Sequence, residues 1–218
     1  LGYHGNRSIP QRLLEGVREY PEIESIYYAE KKLRRTTNRE LYEHSLRIAS
    51  ALEKLGVGRG DVVAVQLPTW YETTVLYLAL MQLGAIVLPI VSIYGQTEVE
   101  FILRQSRAKL YFSPAKWRKI DYLQRHAALR TLPDLQSIVI VGADAPAGAQ
   151  TWESLEAVNI SGFQPVESDP DAVSLLMYTS GTTSAPKGVQ HTHNSLLREW
   201  GRPTYRNRGV GTQLMAHV

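Results

Sequence analysis

Apolar and polar positions change period several times along this chain, and each change marks an element. In residues 37–56, apolar Leu41, Ile48, Ala49, Leu52 and Leu55 recur at helical spacing. Thr37 and Glu40 form a capping box at one end and Gly56 stops the run at the other. The pattern predicts an amphipathic helix of about four turns. After "GVGRGD", the β-branched run "VVAVQLP" has the length of a strand. "WYETTVLYLALMQLG" is apolar almost all round, as a buried helix is, and ends at Gly84; "AIVLPI" reads as the next strand.

The unit then repeats. Thr97 and Glu100 make a second capping box opening the helix "EVEFILRQSR", "KLYFS" is a strand, residues 116–129 read as helical, and "SIVIVG" is a strand. Further on, "AVSLLMYTS" is a strand, "GVQHTH" alternates like another, and Asn194 is placed as the cap of the helix "SLLREW". Strands alternating with helices predict an α/β fold, a mainly parallel sheet with helices on both faces. Composition shifts to Gly, Pro, Ser and Asp at 142–151 and again at 159–171. The second shift is the expected boundary, giving a first α/β subdomain over 1–160 and the start of a second over 161–218.

Composition narrows the class. With 218 residues, 44% of them hydrophobic, the chain can bury one sizeable core or one core plus part of a second. No stretch reaches the roughly 18 to 20 uninterrupted apolar residues of a membrane span, and "LGYHGNRSIP" lacks the apolar segment of a signal peptide. A cytoplasmic location is expected. The absence of cysteine excludes disulfides, thiolate ligands and a cysteine nucleophile. Net charge is +3, and the densest basic run, "KKLRR" at 31–35, is bracketed by Glu30 and Glu40 rather than interleaved with stacking aromatics. It reads as a solvated face, so no nucleic-acid partner is expected and at most peripheral membrane contact. The start at Leu1 and the apolar finish "TQLMAHV" read as an excerpt of a longer protein.

Candidate chemistry concentrates in "YTSGTTSAPKGV", residues 178–189. Backbone amides of Ser, Thr and Gly in a tight loop can converge on an anion, hydroxyls add donors, and Lys187 adds a mobile positive charge. Phosphate oxygens suit such a site. It is not a Walker loop: counting GxxxxGK[ST] from Gly181 puts Pro186 where the second glycine belongs and Gly188 where Ser or Thr belongs. A Walker loop also opens a helix, whereas this one runs into "KGVQHTH" with strand-like alternation.

These residues resemble the phosphate-loop signature of the adenylate-forming superfamily, which includes acyl-CoA synthetases, aryl-CoA ligases, luciferases and the adenylation domains of peptide synthetases. The resemblance extends upstream through "TNRELYEHSLRIASALEKLGVGRGDVVAVQLPTWYETTVLYLALMQLGAIVLPI" and "EVEFILRQSRAKLYF", covering roughly residues 10–200. One departure lies in the loop, where the family usually has glycine and this chain has Ser184. If the position needs φ > 0, the serine is mildly strained.

The resemblance implies the N-terminal part of the adenylate-forming fold, truncated, with the small C-terminal domain absent. It also implies a two-step reaction: a fatty or aryl carboxylate attacks the α-phosphate of ATP, with Mg2+, to give an acyl adenylate and pyrophosphate, and a thiol, usually that of coenzyme A, then displaces AMP. Carried over by motif, Thr179, Ser180, Thr182, Thr183 and Ser184 are hydroxyl and amide donors to the ATP phosphates. Gly181 is the close-approach position, and Lys187 follows the departing pyrophosphate. The family's main catalytic lysine has no counterpart before Val218, so the 218-residue chain alone is expected to be inactive. Two other readings stay open: an acyl-AMP ligase or peptide-synthetase adenylation domain serving an acyl-carrier protein, and a truncated, non-catalytic nucleotide-binding module. No metal ligands are assigned. His191 and His193 alternate on the second strand without acidic or cysteine partners nearby in sequence, and His193 is expected to form structural hydrogen bonds at the helix entry. Trp70, Tyr71 and Glu72 are read as a helix start.

Overall fold

A computed structural model describes residues 5–29, 32–142, 145–146, 149–158, 162–179 and 186–200. In chain order the elements are α1 (Ile9–Glu19), β1 (Glu24–Ala29), β2 (Lys32–Thr37), α2 (Asn38–Lys54), β3 (Val62–Val65), α3 (Tyr71–Gln82), β4 (Ile86–Pro89), α4 (Gln96–Ser106) and β5 (Leu110–Pro114). They continue with β6 (Lys116–Trp117), β7 (Ile120–Asp121), α5 (Leu123–Leu129), β8 (Ser137–Val141), β9 (Gln150–Thr151), α6 (Trp152–Glu156), β10 (Val173–Thr179), β11 (Lys187–Thr192) and α7 (His193–Trp200).

Seven strands form one sheet in the order β11-β10-β4-β3-β5-β8-β9. All neighbours are parallel except β10 and β11, which form an antiparallel hairpin at one edge. The central strands have no solvent face. Val63, Val65, Val87, Leu110, Phe112, Val139 and Val141 point into a core shared with α1, α2, α3 and α6. Ala64, Leu88, Tyr111 and Ile138, from the same strands, point into a second core beneath α4 and α5. Both faces of a parallel sheet are thus covered, which is why these strands read as unbroken apolar runs rather than alternations. At roughly 1.5–3 kcal/mol per fully buried aliphatic side chain, these two layers hold the sheet together.

Several local signals act as their chemistry requires. Thr37 accepts from the Glu40 amide at 3.2 Å while Glu40 Oε2 accepts from the Thr37 amide at 2.9 Å, closing the capping box of α2. Gly84, at φ +67°, terminates α3 in the left-handed conformation that a side chain resists.

Three expectations are corrected. The helix α4 begins at Gln96 with Gly95 as its N-cap and no side-chain cap, so Thr97 and Glu100 lie inside it and form no capping box. Glu100 instead pairs with Arg104 at 3.1 Å, one turn on. Residues 116–121 form an antiparallel hairpin rather than helix. Its turn places Arg118 at φ +54°, and the Arg118 guanidinium stacks 4.3 Å from the ring centroid of its neighbour Trp117, a local contact that offsets part of the backbone penalty. Helix starts at α5, where Asp121 Oδ1 accepts from the Leu123 amide at 3.0 Å. Finally, Thr192 rather than Asn194 caps α7, its Oγ1 accepting from the Ser195 amide at 3.1 Å. Asn194 is buried and ties distant segments together, accepting from the Gly5 amide at 3.0 Å and donating to Asp171 at 2.8 Å.

Candidate functional site

The hairpin at the sheet edge carries the candidate loop. Thr179 ends β10, Lys187 begins β11, and the two are cross-strand partners, so the segment between them leaves and returns at one point. β10 runs parallel to β4, with Leu175 beside Val87. The loop therefore emerges at the carboxyl end of the parallel strands, where open α/β sheets place their ligands. Thr179 and Lys187 are both exposed. Ser180, Gly181, Thr182, Thr183 and Ser184 lie outside the described residues. Pro186 is half-buried next to Lys187 and fixes the backbone entering β11.

The neighbouring loop at this end, after β4, is held from beneath by residues that sequence reasoning missed. Buried Gln66 donates through Nε2 to the carbonyls of Val91 at 2.9 Å and Tyr94 at 3.1 Å, and its Oε1 accepts from the Tyr111 hydroxyl. Tyr122 Oη donates to the Ser92 carbonyl at 2.8 Å, and Arg125 donates to the Tyr94 carbonyl at 2.6 Å. Gln66 just past β3, Tyr122 at the N-cap of α5 and Arg125 within α5 thus fix residues 91–94 at the carboxyl end of the sheet, with Tyr111 of β5 holding Gln66.

Below them Ser113 Oγ and His126 Nε2 lie 3.0 Å apart. The geometry resembles a nucleophile and its base, but Ser113 is fully buried and His126 nearly so. Burial, followed by the charges of Arg130 and Arg125, pushes the His126 pKa down to about 4. A neutral imidazole sealed under the sheet end is a packing group, since no substrate reaches it.

At the corner after β3, Trp70 is the N-cap of α3 and Tyr71 its first residue, as a helix start requires. The corner is closed by an internal network. Tyr71 Oη lies 2.9 Å from His44 Nδ1, and His44 Nε2 lies 2.9 Å from Glu156 Oε1, which also accepts from Trp152 Nε1 at 2.9 Å. Neutral His44 with its proton on Nε2 satisfies both contacts, and burial holds its pKa below 6.5. On the outer side the Arg34 guanidinium sits 3.4 Å above the Tyr71 ring and 3.8 Å from Glu72. Residues 33–35 of the basic run are exposed, as a solvated face requires, and lie on β2, from which Arg34 clasps the β1–β2 hairpin onto α3.

The two strand-end histidines are separate in role. His191 lies opposite Leu175 in the hairpin. His193 is buried and its Nδ1 accepts from the Ile9 amide at 3.4 Å, the structural role expected at the helix entry; burial lowers its pKa. Among the described residues no group of three or more His, Asp or Glu side chains could hold a metal ion, and no described helix is long and apolar enough to cross a membrane.

Comparison with known proteins decides the family. The model of the AMP-binding enzyme family matches residues 13–213. The chain belongs to the AMP-binding enzymes. It is 35% identical over 144 residues to the medium-chain fatty-acid–CoA ligase of Escherichia coli (strain K12), covering 65% of this chain and 25% of the relative. It is also 35% identical over 161 residues to the probable CoA ligase CCL9 of Humulus lupulus, covering 72% and 29%. The chain thus spans between a quarter and a third of these relatives. The crystal structure of the anthranilate CoA ligase AuaEII in complex with anthranoyl-AMP superposes with a TM-score of 0.79 over 96% of this chain and 38% of that one, at 23% identity. The shared architecture is the N-terminal part of the adenylate-forming fold.

Proposed function

We propose that this AMP-binding chain grips the β- and γ-phosphates of ATP in an enzyme that activates a fatty or aryl carboxylic acid as its acyl adenylate and passes the acyl group to coenzyme A. The observation that carries this reading is the hairpin register: Thr179 and Lys187 face each other across the mouth of a hydroxyl-rich loop, at the ligand end of a parallel sheet.

Adenylation sets an anion against a polyanion, and charge gathers on the departing pyrophosphate. Fixed donors at that leaving group stabilise the transition state more than the ground state. Thr179, Ser180, Gly181, Thr182, Thr183 and Ser184 supply hydroxyl and amide donors in this proposal, and Lys187, on an exposed and mobile stem, follows the charge. The described residues offer no carboxylate cluster for magnesium. Magnesium, when bound to the triphosphate, would neutralise its oxygens, while the chain's own donors orient them. Residues 161–218 begin a second subdomain whose first two strands extend the edge of the first, and the reaction is placed in the cytoplasm.

Carboxylate-dependent ATP–pyrophosphate exchange with magnesium tests the reading, run on the native-length protein, its Lys187→Ala variant and the 218-residue chain. Exchange in the parent, slowed in the variant and absent from the 218-residue chain, is expected. A folded parent that binds ATP yet exchanges with no short, medium, long-chain or aryl acid would refute it.

A further inference from the structure

One pair below Thr179 and Lys187, Gly188 sits opposite Tyr178. Glycine inside a strand gives up stability that a side chain would keep, so its presence asks for a reason. Backbone freedom is not that reason, because Gly188 is not among the glycines at positive φ. Space is. A Cβ at 188 would stand 3.1 Å from Leu176 Cδ1, 3.3 Å from Tyr178 Cζ and 3.5 Å from Tyr178 Cε2. The tyrosine ring thus lies across the partner strand, over the α-carbon of residue 188. It is not free there, since Tyr178 packs against the core beneath α4.

We propose that Tyr178 and Gly188 are a positioning pair: the ring resting on the glycine sets the separation and twist of the hairpin arms, and so aims Thr179 and Lys187 at the phosphates. This rests on the adenylating reading above. Side chains alternate across a strand, so the ring occupies one face of the hairpin while Thr179 and Lys187 project from the other. Neither Tyr178 nor Gly188 needs to touch ATP; they act through the closing pair.

The position of the contact separates this role from general packing. It lies next to the loop mouth, where β11 is paired on one side only among the described residues. A groove of about 320 Å³ runs alongside, lined in part by Gln105, Ser106, Tyr178, Gly188 and Gln190. Because the core beneath α4 holds the ring, a methyl at 188 moves the β11 arm instead, and the groove alongside gives room for that without breaking the fold. Leu176 can yield by turning its terminal methyl. The rigid ring is the part that transmits the displacement.

Two variants test this, Gly188→Ala and the double variant Gly188→Ala/Tyr178→Val, in which the β-branched valine keeps strand preference and clears the space over residue 188. In the 218-residue chain, Gly188→Ala is expected to shift the Thr179 and Lys187 amide resonances and weaken the cross-strand nuclear Overhauser effect between them, with an unchanged melting midpoint; the double variant reverses both. In the native-length protein, Gly188→Ala is expected to lower exchange about tenfold at saturating MgATP and acid, with KM for the acid unchanged, since a small misplacement of a charged group costs rate before binding. The double variant recovers most of that loss. Unmoved resonances at 179 and 187, or a double variant as slow as Gly188→Ala, would overturn the assignment. A parent with no exchange at all refutes the adenylating reading and this role with it, and shifted resonances in that case separate a failed reaction from a failed hairpin geometry.

Discussion

Two parts of one sheet are built on opposite terms. The central strands β3, β4, β5 and β8 are covered on both faces, and every residue of the run 138–141 is buried. The hairpin β10–β11 begins in the same way, with Ser174 and Leu175 buried, and then emerges, so that Met177, Thr179, Lys187, Val189 and Gln190 are exposed. Stability resides where both faces are packed, and chemistry is carried where packing stops. The exposed end costs little to alter and little to move, as the proposed grip on a triphosphate requires.

Substitution can break this contrast. The largest effect is expected from Leu88→Ala in β4, which deletes a fully buried side chain and costs about 2–5 kcal/mol in denaturant unfolding. The matching change at the edge, Val189→Thr, is expected to stay within about 0.5 kcal/mol, because Val189 is 42% exposed. Equal losses at the two positions would erase the distinction between core and edge. Lys187→Ala reverses the order: exchange by the native-length protein is expected to fall about 10²–10³-fold, the cost of removing one donor to a transition-state charge, while the melting midpoint holds. A variant that melts earlier and keeps its rate would return Lys187 to the scaffold.

The pH dependence sharpens the same contrast, because its source is the core. The folded His126 titrates near 4 and an ordinary histidine near 6.5, so between those values the unfolded chain takes up a proton that the folded one refuses. The stability His126 contributes is fully present above pH 6.5 and is lost as pH falls toward 4. His126→Gln is expected to flatten that part of a curve of melting midpoint against pH; an unchanged slope would remove His126 as its source. A smaller loss than at Leu88 is expected from Thr37→Ala, about 1 kcal/mol from loss of the α2 cap. No measurable change there would mean that packing of α2 makes its cap redundant.

Sequence alone determined what local chemistry decides. The buried strands, the helices α2 and α3 and the stop at Gly84 all follow from periodicity, caps and a residue free of Cβ, each acting over a few neighbours. The loop "YTSGTTSAPKGV" was legible for the same reason, since its hydroxyls, glycine and lysine lie within one run of the chain. Tertiary structure decided whatever depends on residues far apart. His44 meets Glu156 and Gln66 meets Tyr111 only once the sheet order is set. The Tyr178 ring finds Gly188 through a hairpin register, and Arg34, exposed as a solvated face requires, also reaches the Tyr71 ring. Burial and pairing are properties of the folded whole; a sequence window contains the groups that will meet but not the distances that bring them together.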